Sequence, residues 1–131
     1  MDVKKLIEEA LNAQKNAYSP YSKFCVGAAL LCENGKVYTG CNIENVSFSL
    51  TNCAERTAIF KAVSDGVKDF NAIAIVGSDE KICTPCGACR QVIGEFCGQD
   101  FKVICANNKG EYKEYTLGEL LPFSFNLGEK V

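Results

Sequence analysis

The sequence predicts an α/β protein, a three-layer α/β/α sandwich around a five-stranded mixed sheet. Three observations predict it. Helix-period and strand-like segments follow the order α-β-β-α-β-α-β-β-α, which argues for one sheet between helical layers. The first two strands are joined by a short turn and pair as a hairpin, whereas strands separated by helices run parallel. A chain of 131 residues with 47% hydrophobic and 23% charged residues is sized and composed for one domain with a real core. No linker, repeat or low-complexity segment divides residues 1–131.

Each element has its own signal. Val3, Leu6, Ile7, Ala10, Leu11 and Ala17 keep helical spacing behind Asp2, an N-cap residue type, and Ser19-Pro20 ends that helix. FCVGAALLC at 24–32 is a short apolar run and reads as a buried strand. ENGK at 33–36 is the turn, and VYTGCN returns as its partner. IENVSFSLTN at 43–52 is polar and aperiodic and reads as a loop. A helix runs from about Cys53 to Asp65, with Gly66 as its stop. FNAIAIVG at 70–77 is a strand, and CGACRQVIGEFCG opens a second helix of similar length at Cys86. FKVICAN and EYKEYT are strands on either side of NKG. TLGELL is a short helix halted by Pro122, and the tail FSFNLGEKV has no periodicity.

Composition excludes several functions. Net charge is −2 and the sequence pI is about 5.2, with lysines scattered among acids. A polynucleotide partner calls for a basic stripe, so nucleic acid is disfavoured. No apolar run approaches the roughly 20 residues of a membrane span. The N-terminus lacks the apolar stretch of a secretory signal, so the expectation is a cytoplasmic protein with reduced thiols. There is no histidine, which removes Ser–His and Cys–His hydrolases and every zinc site that needs imidazole. Nine cysteines are present. Cys25, Cys32, Cys41 and Cys105 fall in apolar stretches and read as buried core thiols.

The chemistry gathers where two helices open on cysteine. One opens at Cys53 in TNCAERTA and the other at Cys86 in TPCGACRQ. Cys86 and Cys89 are spaced i, i+3 and share a face. A helix N-terminus offers free N–H groups and partial positive charge, which favours the thiolate that binds metal. Two such termini can aim three thiolates at one ion. The bacterial ferredoxin spacing fails, because Ile93 stands where a fourth cysteine belongs. A structural four-cysteine zinc site that includes Cys83 stays open. Against it, Cys83 lies beyond Pro85, and Glu55 supplies a carboxylate that a closed site does not need. A catalytic zinc has three protein ligands, an open position and a nearby base. Glu55 on its own reads as a surface group, because residues i and i+2 of a helix point nearly opposite ways.

Cys-Ala-Glu followed by Pro-Cys-x-x-Cys is the pattern of zinc nucleobase deaminases. The chain resembles the small, three-cysteine, homotetrameric cytidine deaminases. The resemblance covers most of the chain: YSPYSKF, VGAAL, GCNIEN, CAER, PCGACRQ and ELLP. It implies a single cytidine deaminase-like catalytic domain over 1–131. It implies one Zn²⁺ per subunit on Cys53, Cys86 and Cys89, with Cys83 a bystander and Glu55 the proton carrier. Cytidine and deoxycytidine would be hydrolysed to uridine and deoxyuridine plus ammonia, in pyrimidine salvage. It gives Arg56 the task of withdrawing charge from the thiolates. Only Arg56 and Arg90 are arginines, against twelve lysines, and each follows a cysteine motif. For Arg90 a structural ion pair or cap is the competing reading. The resemblance also sets Asn42 and Glu44 on the ribose, Phe24 along the nucleoside pocket and the Ala54 N–H on the pyrimidine carbonyl. Phe125 is to reach a neighbour's site within a homotetramer. Phe48 departs from the tyrosine that members often carry. The alternatives are a nucleoside-antibiotic deaminase, a polynucleotide editor, and a non-enzymatic zinc-binding or redox protein.

Overall fold

The computed structural model describes residues 1–127; residues 128–131, the end of the aromatic tail, lie outside the described residues. Asp2 caps α1 (Val3–Gln14), accepting from the Lys5 N–H at 3.1 Å. The helix stops before Ala17. The N–H groups of Lys15, Asn16 and Ala17 bond three residues back, and Tyr18 already bonds to the Asn42 carbonyl. Tertiary pairing ends this helix before proline can.

β1 (Gly27–Cys32) and β2 (Val37–Cys41) form the expected antiparallel hairpin, with Gly35 at φ +89° in its turn. Then follow α2 (Ala54–Ser64), β3 (Phe70–Val76), α3 (Gly87–Phe96), β4 (Lys102–Ala106), β5 (Tyr112–Thr116) and α4 (Leu117–Leu120). Thr116 and Glu119 close a capping box at the start of α4. The segment 43–52 is more ordered than its composition suggests. Ile43 bridges to Tyr18 and Asn52, and Phe48–Leu50 form a 3-10 turn.

The sheet order is β2-β1-β3-β4-β5. β3 and β4, separated by α3, pair in parallel as expected. β2 and β3, separated by α2, also point the same way, but β1 lies between them and is antiparallel to both. Alternate strand residues face opposite layers. Ala29, Ala72, Ala74, Val76 and Ile104 pack with Leu6, Ile7 and Ala10 of α1. Leu30, Ile73, Ile75, Val103 and Cys105 pack with Ala58, Ile59 and Ala62 of α2 and Ile93 of α3. Strands covered on both faces explain the continuous apolar runs.

Cys32 and Cys105 are buried, but Cys25 and Cys41 are half-buried. Cys25 precedes β1 and Cys41 ends the edge strand β2, so neither is covered from both sides. One glycine fixes α2 against the sheet. A Cβ on Gly40 would lie 2.4 Å from the Ala54 carbonyl oxygen and 2.6 Å from the Ala58 nitrogen. The first turn of α2 therefore rests directly on the β2 backbone, and any side chain there displaces the helix start.

Candidate metal centre

Cys53 and Cys86 are the N-caps of α2 and α3, both extended, at φ −76°, ψ 157° and φ −67°, ψ 167°. Neither thiol caps its own helix. Their sulfurs are free to turn toward each other and lie 4.0 Å apart. Cys89, the third residue of α3, completes a group whose sulfurs all lie within 4.8 Å of one another. Cys83 is not in the group. Burial pushes its thiol up to about 12, helped by the charge of Glu55, so it keeps its proton. The donor set of three thiols fits zinc: soft ligands, one ion's reach apart, three in number, as an open site requires.

The thiols of Cys53 and Cys89 are shifted in opposite directions. The Cys53 thiol is pushed down to about 5, first by a hydrogen bond with Cys89 and then by the Arg56 guanidinium, against the opposing effect of burial. Cys89 is pushed up by that same bond and by burial. Arg56 donates from a terminal nitrogen to the Cys53 sulfur at 3.2 Å. Its Nε is buried without a hydrogen-bond partner.

Glu55 is not a surface group. It is 4% exposed. The angular rule for i and i+2 does not apply, because Cys53 is a cap with extended backbone and only Glu55 is helical. Burial raises the Glu55 carboxyl to about 7, the neighbouring Cys53 charge adds to this, and Cys89 and Arg56 oppose it. Ala54 is the first residue of α2 and fully buried, so its N–H has no acceptor within the helix.

Arg90 turns away from the sulfurs. Its Nε donates to the Pro85 carbonyl and a terminal nitrogen to the Leu120 carbonyl, both at 2.8 Å. Of the two readings the sequence left open, the cap is the one observed.

The remaining expected residues fall around a second segment, 21–26. Asn42 accepts from the Val26 N–H at 2.9 Å and donates to the Phe24 carbonyl at 2.8 Å. Glu44 accepts from the Tyr21 and Ser22 N–H groups at 2.9 and 3.1 Å and from the Ser22 hydroxyl, and the hydroxyl bond holds its carboxyl below the usual range. The Phe24 ring lies against Gly77, where an added Cβ would sit 2.7 Å from its Cζ and 3.1 Å from the Cys83 Cβ. Sequence reasoning read Gly77 only as the end of a strand; an isolated glycine there is itself a signal of close approach. Phe125 is 75% exposed, so its side chain does not fold back onto the core of its own chain. Its carbonyl accepts from Gln91 of α3 at 3.1 Å. Phe48 is equally exposed, with its ring 6.2 Å edge-on from that of Tyr21.

Sandwich and thiol cluster together define a metal-dependent nucleobase-deaminase fold, with the cap cysteines of two adjacent helices as its signature. Comparison with known proteins agrees. Residues 1–106 match the family model described as the cytidine and deoxycytidylate deaminase zinc-binding region. A cytidine deaminase of Sporosarcina psychrophila is 59% identical over 126 residues, covering 96% of this chain and 93% of that protein. The crystal structure of a cytidine deaminase from Burkholderia pseudomallei superposes with a TM-score of 0.92 at 47% identity, covering 95% of this chain and all of that one. A more distant match is a blasticidin-S deaminase of Bacillus cereus, 36% identical over 112 residues and 79% of each chain. The chain belongs to the cytidine and deoxycytidylate deaminase family.

Proposed function

We propose that this chain is a cytidine deaminase, hydrolysing cytidine and deoxycytidine to uridine and deoxyuridine with release of ammonia, in pyrimidine salvage. One observation carries the reading: Glu55 is buried against a cluster of three thiols that can hold a single ion. Cys53, Cys86 and Cys89 hold one zinc per chain. Zinc, when bound, supplies Lewis acidity that makes water acidic near neutral pH.

The chain's own groups do the rest. Glu55 takes a proton from water and delivers it to ring nitrogen 3, as oxygen adds at ring carbon 4. It then carries the remaining proton of the added oxygen to the exocyclic amine, which leaves as ammonia as the carbon–oxygen double bond forms. A carboxyl titrating near neutrality can act in both directions. Arg56 withdraws charge from the Cys53 sulfur, since three thiolates overcompensate a divalent ion. The Ala54 N–H meets the pyrimidine carbonyl. Asn42 and Glu44 retain hydrogen-bonding capacity beyond their contacts to segment 21–26, and bind the ribose hydroxyls. Phe24 forms the pocket wall.

The protein acts as a single catalytic domain in the cytoplasm and assembles as a homotetramer with shared sites. Support for association comes from exposed Val46, Phe48, Leu50, Phe60 and Phe125. Phe48 packs there without the hydroxyl of a tyrosine. Among the described residues no helix is long and apolar enough to cross a membrane. Native mass spectrometry should give four chains and four zinc ions. Phe125→Ala should lower kcat/KM about 10- to 100-fold, the loss of one stacking partner, with zinc unchanged.

The deciding experiment follows ultraviolet absorbance of cytidine, deoxycytidine and blasticidin S with purified, zinc-quantified protein. Loss of cytidine absorbance is expected. Loss with blasticidin S alone would transfer the reading to an antibiotic deaminase, and loss with neither, zinc being bound, would end it.

A further inference from the structure

Asn107 directly follows β4 and is 3% exposed, a neutral polar side chain with no part in the chemistry above. It is fully used. Its oxygen accepts from the main-chain N–H groups of Lys109 and Glu111, both at 3.0 Å, and so shapes the β4–β5 turn. Its nitrogen donates to the Glu111 carboxylate at 2.8 Å and to the Glu80 carbonyl at 2.9 Å. The last bond leaves the turn and reaches the segment 77–85, which leads into Cys86.

The same turn grips that segment at other points. The Asn108 N–H donates to the Asp79 carbonyl at 3.0 Å, and the Cys83 N–H donates to the Ala106 carbonyl at 3.2 Å. Lys109 pairs with Glu80 at 3.3 Å, but that contact is exposed and contributes little. Among these ties only Asn107 brings a buried side chain. Cys86 itself is exposed and lies outside any strand, and Arg90 donates to the carbonyl of the residue before it. A segment without secondary structure of its own keeps its position through such ties.

We infer that Asn107 is a positioning residue of the metal centre, fastening the Cys86-bearing segment to the β4–β5 turn and so slowing release of the ion. The inference rests on the reading of Cys53, Cys86 and Cys89 as zinc ligands. Groups that touch metal ligands directly alter affinity about 10- to 100-fold. Asn107 acts further out, through the chain between Glu80 and Cys86, so the expected effect is at the low end, about 10-fold.

The test follows transfer of zinc from the holoenzyme to excess colorimetric chelator. Asn107→Ala should release zinc about 10-fold faster than the unaltered protein. Leu6→Ala, a cavity under α1 on the opposite sheet face, serves as the stability control and should leave release unchanged. If Asn107→Ala does not fold, a second comparison decides. Asn107→Asp with Glu111→Gln keeps both acceptor bonds and a hydrogen bond to residue 111, and turns the donation to the Glu80 carbonyl into an oxygen–oxygen repulsion. It should release zinc faster than Glu111→Gln alone. Equal rates in that pair, or equal acceleration in Asn107→Ala and Leu6→Ala, would overturn the inference. If the unaltered protein binds one zinc and deaminates cytidine, such a result removes Asn107 alone. If the unaltered protein binds no zinc, both readings fall.

Discussion

The N-termini of α2 and α3 look alike in sequence, each a cysteine cap before a small residue, yet their surroundings differ. At α2 the cap sulfur is half-buried and receives the Arg56 guanidinium, and Glu55 is enclosed two residues on. At α3 the cap sulfur is exposed, Gly87 and Ala88 follow it, and Arg90 turns back to main-chain carbonyls. Under the proposed function the pair would divide its labour. α2 would supply one ligand and both charged groups that act on the reaction. α3 would supply two ligands and the anchorage of the segment that bears them.

Removing a ligand should erase the difference. Cys53→Ala, Cys86→Ala and Cys89→Ala are each expected to lose zinc and all measurable turnover, and to lower solubility, because the ion ties the two helices together. Elemental analysis per chain reads this directly, and a zinc-replete Cys86→Ala protein would break the assignment.

The two arginines separate the termini more finely. Arg56→Gln should retain zinc and slow turnover about 10-fold, since its contact is to a ligand. Arg90→Gln should lower Tm by about 10 °C or more, through two lost charge-assisted hydrogen bonds of about 1.5–3 kcal/mol each, with turnover per bound zinc kept. Matching kinetic defects in the two would abolish the division of labour. The smallest effect is expected at Cys83→Ser: one zinc per chain and a near-normal rate. Loss of zinc there would restore the four-cysteine structural site.

Much of this was legible in the sequence, for identifiable reasons. Cap residues, glycine stops and apolar periodicity are local, so α2, α3 and the β1–β2 hairpin could be placed from the order of residues alone. The position of β1 between β2 and β3 could not, because periodicity says nothing about which side of a hairpin the next strand joins. The sequence also misplaced what depends on cover by other elements. Cys25 and Cys41 lie in apolar stretches but at a strand approach and a sheet edge. Glu55 could be brought to the sulfurs only by resemblance. Spacing argued against it, since that rule holds inside a helix and Cys53 stands just outside one. Gly77 and Asn107 were passed over as strand ends, because their roles are contacts with Phe24 and Glu80, distant in sequence.

The central claim is that α2 carries the proton chemistry and that this chemistry is separable from metal binding. Glu55→Ala tests it most directly, with zinc per chain and cytidine turnover measured on the same sample. The account predicts one zinc per chain, an unchanged fold by circular dichroism, and turnover lowered by about 10²- to 10⁴-fold, the contribution of a positioned acid–base group. A zinc-replete Glu55→Ala protein that keeps more than about ten per cent of the unaltered rate, well outside that range, would contradict it.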